Sequence, residues 1–255
     1  MNDLDRFLAF ERRILAGMST RTEPFDHGTA YFDDDVRERY ISNFLLIDAH
    51  QPQVSAETLI EDADRILGGC GYRHRLLVVV DEADGDRLAP GFRAQGYVAE
   101  PSVQMVLRRP PDRPADLGAE ECSFAESRPL TEEIYRREKL TPDLIPRFVD
   151  QHASWERSIG ARRFVARVDG ALAGECELYI DGADAQVEFV DTLEEFRGRG
   201  VARAVVLGAA EAARTSGADR VFILADENDW PNELYQRLGF DPMARRWEVH
   251  RWPED

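Results

Sequence analysis

The sequence predicts an α/β protein built as two related lobes, each a sheet flanked by helices. Strand and helix periods alternate: residues 185–193 read as a strand, and in 200–216 Ala202, Val205, Val206, Ala209, Ala212 and Ala213 recur at helical spacing. Residues 220–225 then form a continuous apolar run, as an internal strand would. The pattern also occurs twice. A shift of 143 lays residues 78–108 on 221–251 without a gap, so that Asp86 meets Asp229, Phe92 meets Tyr235, Gly96-Tyr97 meets Gly239-Phe240 and Val106 meets Val249. At 255 residues, 43% of them apolar, the chain is long for one small domain and sufficient for two cores.

From the N-terminus, Leu4, Phe7, Leu8 and Leu15 predict a short helix. Leu59, Ile60, Ala63, Ile66 and Leu67 predict a second at about 55–68. The apolar run 76–80 opens the first copy of the repeat. Residues 109–120 are proline-rich and charged and read as an extended linker, which sets the lobes at 1–108 and 121–255. Helices follow at about 130–140 and 143–159, the latter amphipathic through Leu144, Ile145, Phe148, Val149, Trp155 and Ile159. Strands at about 162–168 and 171–180 are joined by Asp169-Gly170, a pair that supplies the positive φ angles of a tight hairpin turn. A helix begins near Pro231, and Gly239 caps it.

The formal net charge of −17 is spread over both halves and belongs to folded surface. It argues against nucleic acid, whose binders need a concentrated basic face, and it steers cationic partners inward. Cys70, Cys122 and Cys176 lie far apart without metal or redox spacing, and the five histidines are scattered, so no metal is expected. The N-terminus is acidic and the longest wholly apolar run is far too short to span a bilayer, which makes a cytoplasmic protein, monomer or homodimer, the expectation.

Chemistry concentrates at Arg197-Gly198-Arg199-Gly200-Val201-Ala202, a basic turn between strand and helix. Two glycines let the backbone turn tightly and present N–H groups, and the helix N-terminus adds unpaired donors and positive dipole, so a phosphate or pyrophosphate suits it. Val201-Ala202 stands where a nucleoside-triphosphatase loop needs Lys and Ser or Thr, and the three-glycine dinucleotide fingerprint is incomplete. The spacing Arg197-x-x-Gly200-x-Ala202 instead resembles the acyl-CoA pyrophosphate loop of the GNAT N-acetyltransferase superfamily. Asn228, followed at Tyr235 by Tyr-x-x-x-Gly239-Phe240, resembles that superfamily's second segment.

The resemblance implies tandem lobes, each with a mixed, mostly antiparallel sheet, and acetyl-CoA as cosubstrate. Its pyrophosphate would rest on Arg197, Gly198, Arg199, Gly200, Val201 and Ala202. Its pantetheine arm would follow Thr192 and Leu193, whose N–H groups would also face the oxyanion, and Asn228 would hold that arm. Tyr235 would protonate the departing thiolate. For the base the sequence offers Glu188 and Asp191, on opposite strand faces, besides a water chain; Glu188 is preferred. The acceptor would be a small-molecule or peptide amine. In the first lobe Val54, Ser55, Glu57 and Leu59 replace Arg197, Gly198, Gly200 and Ala202, which makes that lobe degenerate and structural. Two other functions remain open: an acyl-CoA-binding sensor without turnover, and a transferase of larger acyl or aminoacyl groups.

Overall fold

The computed structural model describes residues 2–253. In chain order its elements are α1 (Asp3–Met18), β1 (Arg21–Phe25), β2 (Gly28–Phe32), β3 (Phe44–Ile47), α2 (Ala56–Ala63), β4 (Arg75–Val79), α3 (Glu82–Ala94) and β5 (Val98–Leu107). The second half adds β6 (Ala119–Cys122), α4 (Phe124–Arg137), α5 (Ile145–Ile159), β7 (Arg162–Val168), β8 (Ala171–Asp181), β9 (Asp184–Thr192), α6 (Val201–Thr215), β10 (Arg220–Asp226), α7 (Trp230–Arg237) and β11 (Phe240–Arg251). The backbone groups into two units. One comprises Met1–Met18, Met105–Leu224 and Trp230–Pro242; the other comprises Ser19–Gln104, Ala225–Asp229 and Met243–Asp255.

The first unit carries strands in the order β10-β9-β8-β7-β6. Its pairs are antiparallel except β9 with β10, which run parallel and are bridged by α6. The β7–β8 hairpin turns at Asp169 (φ 52°) and Gly170 (φ 84°), the two left-handed residues that Asp-Gly provides. Helix α6 is rich in alanine and buries Val201, Ala204, Val205, Val206, Ala209, Ala210 and Ala213, so its small side chains let it lie close on the sheet. Helix α4 starts at Phe124, ahead of the expected 130, because Ser123 and Glu126 form a reciprocal capping box. Residues 109–118 are irregular, with several bends, and are held down: buried Arg203 donates to the Arg113 carbonyl (2.9 Å) and pairs with Asp112 (2.8 Å), and the Asp112 N–H donates to the Arg237 carbonyl (2.8 Å).

The second unit has the order β1-β2-β3-β4-β11-β5; β1 with β2, β2 with β3 and β4 with β11 are antiparallel, and β3 with β4 is parallel. The shift of 143 that aligns Gly96 (φ 78°) with Gly239 (φ 102°) also carries β1 onto β7, β2 onto β8 and β3 onto β9, with the same pairing signs. The repeat is therefore structural as well as sequential.

At both chain ends this grouping departs from a cut at residues 109–120. Helix α1 joins the first unit because Phe7 and Phe10, fully buried, pack on Phe222 with ring centroids 5.3 and 6.3 Å away. From Met243 onward β11 joins the second unit because it pairs with β4 from Trp247↔Val79 to Arg251↔Arg75, and Trp247 lies against Gly85 of α3.

Candidate active site

The site begins where β9 stops pairing with its parallel neighbour β10. Pairing of β9 with β10 extends from Asp184 to Val187, opposite Arg220 to Ile223, while β9 continues to Thr192. On the β8 side the register shifts between Glu175 and Glu177, opposite Phe189, whose φ of 50° marks a bulge. Bulges re-aim side chains next to functional sites. Beyond the bulge β8 and β9 stay close: a Cβ on Gly174 would fall 2.3 Å from the Asp191 carbonyl oxygen and 2.6 Å from Val201.

After β9 a 3₁₀ turn (Glu194–Phe196) leads into the loop, where Gly198 (φ 74°) and Gly200 (φ 82°) are left-handed. Around both, the space a Cβ would take is open, so the backbone angle rather than crowding requires glycine. Gly200 occupies the N-cap of α6 without a side-chain cap, which leaves that helix's first-turn N–H groups to an external acceptor. In the second unit the corresponding helix, α2, is capped by Ser55, whose hydroxyl accepts from the Thr58 N–H (3.2 Å). Val54 and Leu59 there are buried, so this copy is closed on itself.

A cavity of about 350 Å³ lies over the loop. Four arginines are among its lining residues, Arg113, Arg197, Arg203 (itself paired with Asp112) and Arg237, together with Thr192, Phe196, Gly198, Gly200, Val201, Ala202, Trp230 and Leu234. No carboxylate stands among these described lining residues, on a chain of net charge −17. Thr192 Oγ1 is shielded from solvent and has no hydrogen-bond partner. Trp230 presents 58% of its surface. Helix α4 steadies the loop: Leu130 and Ile134 pack with Leu193 and Phe196, and Arg137 grips both carboxylate oxygens of Glu195.

Of the residues singled out in the sequence, Thr192, Arg197, Gly198, Gly200, Val201 and Ala202 come together here. The others lie elsewhere. Leu193 is buried against α4 and its N–H bonds the Ala173 carbonyl (3.0 Å), so that donor does not face an oxyanion. Arg199 pairs with Asp169 (3.0 Å). Tyr235 is buried against Phe240 (ring centroids 6.2 Å apart), while Trp230, Leu234 and Arg237 present the cavity face of α7. Asn228 is exposed, belongs to the segment Ala225–Asp229 and is not part of the lining. Arg113, Arg203, Arg237 and Trp230 were not legible as site residues, because chain packing rather than a local motif collects them.

Glu188 stands opposite Glu177 across the strands and accepts from the Gln186 amide. Around Glu177 lies a buried polar network. His152 Nδ1 is 2.6 Å from Glu177 Oε1 and its Nε2 is 2.5 Å from the Tyr135 hydroxyl; Arg163 and Tyr179 each donate to Glu177 at 2.5 Å. Burial opposes ionisation of Glu177, but His152 and Arg163 outweigh it and hold the carboxyl down at about 2. Glu175 accepts from Thr131 (2.8 Å) and pairs with Arg163 (2.9 Å), yet its Oε2 is buried without a partner, and burial pushes the carboxyl up to about 7. In the second unit His50 lies 2.9 Å from Asp84 and 3.2 Å from Asp81; the Gln51 N–H and Arg87 also bond Asp84, making an ion-pair network at the start of α3.

Residues 128–240 match the Acetyltransferase (GNAT) family. That span runs from α4 through the loop and α7 to Phe240. No curated protein matches the chain significantly. Among solved structures the fold is similar to a GCN5-related N-acetyltransferase from Kribbella flavida, at 16% identity and TM-score 0.69, covering 100% of this chain and 97% of that one. It is also similar to a functionally unknown conserved protein from Staphylococcus epidermidis, at 14% identity and TM-score 0.69, covering 92% and 94%. A tandem GNAT protein from the clavulanic acid biosynthesis pathway matches at 15% identity and TM-score 0.57, covering 100% and 97%. Among the described residues no helix is long and apolar enough to cross a membrane. Residues 128–240 are therefore a domain of the acetyltransferase (GNAT) family, and the two-lobed fold around it is similar to that of the tandem GNAT protein.

Proposed function

We propose that the chain transfers an acetyl group from acetyl-CoA to an amine by direct attack within a ternary complex. The observation that carries this reading is the cavity over the uncapped start of α6, with four arginines and no carboxylate in its lining on an acidic protein. Guanidinium groups bind phosphate oxygens in bidentate fashion, and helix N–H groups with the dipole add to the attraction. CoA brings a pyrophosphate and a ribose phosphate, which match several arginines better than a single anion would. In this reading Gly198 to Ala202 take the pyrophosphate, Trp230 offers a face for adenine stacking, and the Thr192 hydroxyl gains the partner it lacks.

The thioester then falls beside the part of β9 that extends past its pairing with β10. An acceptor amine attacks the thioester carbon, Tyr235 protonates the leaving thiolate, and Glu188 receives a proton from the attacking nitrogen. The test is release of CoA from acetyl-CoA in the presence of primary amines. Turnover is expected, with Tyr235→Phe lowering kcat by about 10²-fold. If acetyl-CoA binds, no amine is acetylated and Tyr235→Phe changes nothing, the chain is a sensor rather than a transferase.

A further inference from the structure

We propose that Tyr135, backed by His152 and Glu177, is a further catalytic residue that takes the first proton from the acceptor's ammonium group. The inference rests on the transferase reading above and deepens it. An amine at neutral pH arrives protonated, and two protons must leave its nitrogen: one before attack, to free the lone pair, and one after. Glu188 accounts for one of them.

Three elements converge to supply the other acceptor: Tyr135 from α4, His152 from α5 and Glu177 from β8. Glu177 is ionised and can only accept, so His152 Nδ1 carries the proton toward it. In the neutral imidazole that this proposal requires, Nε2 accepts from the Tyr135 hydroxyl. Arg163 and Tyr179 also donate to Glu177, one to each carboxylate oxygen. A phenol bonded to an imidazole that is oriented by a carboxylate is the order of groups that moves a proton. His152 and Glu177 are each 2% exposed, whereas Tyr135 is half-buried. The network also adjoins the proposed reaction centre: the Phe189 ring at the β9 bulge packs on His152, centroids 5.0 Å apart, and α4 itself grips the loop through Arg137.

The step balances. R–NH3⁺ gives a proton to Tyr135 Oη as the Tyr135 hydroxyl proton passes to His152 Nε2, leaving a neutral amine and an imidazolium facing the Glu177 carboxylate. The nitrogen attacks the thioester carbon, the C–S bond breaks, the thiolate takes the Tyr235 proton, and the second nitrogen proton goes to Glu188. One of the two collected protons restores Tyr235 and the other leaves to solvent. Groups facing His152 include Tyr135 from α4, Glu177 from β8 and the rings of Phe124, Trp155 and Phe189; Arg163, Tyr179 and Glu175 lie one contact further.

The experiment measures CoA release from acetyl-CoA with a simple alkyl diamine, an amino sugar and a lysine-containing peptide, from about pH 6 to pH 9. Tyr135→Phe removes only the hydroxyl, and His152→Gln is the second variant. Both should lower kcat by about 10²-fold at neutral pH and recover as pH approaches the amine's own pKa. The KM for acetyl-CoA should stay within about twofold, as uniform donor binding is untouched. Parent turnover with an unchanged kcat and pH profile in Tyr135→Phe overturns this inference alone, as does an equal loss at every pH, which is the mark of a structural role. A parent protein that binds no acetyl-CoA, or acetylates no amine, overturns the transferase reading and this inference with it.

Discussion

Gly198 and Gly200 hold φ angles of 74° and 82°, which cost an L-residue roughly 1–2 kcal/mol. Gly200→Ala should therefore weaken acetyl-CoA binding by about 10-fold through a displaced loop, read by calorimetry, with a small loss of thermal stability. These glycines were legible because their role is local: a left-handed backbone before a helix. Thr192 and Leu193 show the limit of that legibility, since the first lines the cavity while the second faces Leu130 and Ile134. Glu175 and Glu177 give a second residue-scale prediction. The raised Glu175 carboxyl contributes stability that is full below its unfolded pKa of about 4.5 and is lost as pH rises through about 7. The depressed Glu177 carboxyl contributes stability present above about 4.5 and lost as pH falls toward 2. Thermal midpoints against pH should fall on both sides, and Glu175→Gln should flatten the alkaline side alone. A parent curve that does not decline between about pH 5 and pH 8 contradicts the assignment.

The element that shapes the site is β9, and its bulge at Phe189 left no mark in the alternation of 185–193. What pins the strand is Gly174 on β8, where a Cβ would collide with the Asp191 carbonyl and with Val201 of α6. Gly174→Ala should cost about 1–3 kcal/mol by overpacking and reduce acetyl-CoA affinity, measured by denaturant unfolding and calorimetry. Helix termini were partly readable. Asp169-Gly170 announces the β7–β8 turn, whereas the first turn of α4 rests on the Ser123–Glu126 box rather than on the apolar periodicity that marks the helix from about 130. The contrast between α6, left open at Gly200, and α2, closed by Ser55, was visible as substitution of the glycines; the cap itself emerged only from the side-chain geometry.

Across the whole molecule, the 143-residue repeat carried most of the fold, because duplicated elements keep their periods even when identities drift. It did not reveal that the chain ends are exchanged between groupings, since pairing of β11 with β4 and docking of α1 are long-range choices that leave no periodic trace. Deleting residues 1–18 should lower the thermal midpoint by about 10 °C or more, because burial of Phe7 and Phe10 is worth roughly 1.5–3 kcal/mol each. An unshifted midpoint would mean α1 is dispensable to its unit. The duplicated architecture also sharpens the central claim, that a single acyl-CoA loop functions, in the second-half domain, while its counterpart at Ser55 is closed. Calorimetric titration of the full chain with acetyl-CoA tests this most directly. One molecule bound per chain, with binding weakened about 10-fold or more by Arg197→Ala combined with Gly200→Ala, is the result expected. No binding, or one molecule bound with affinity untouched by those loop changes, would contradict it.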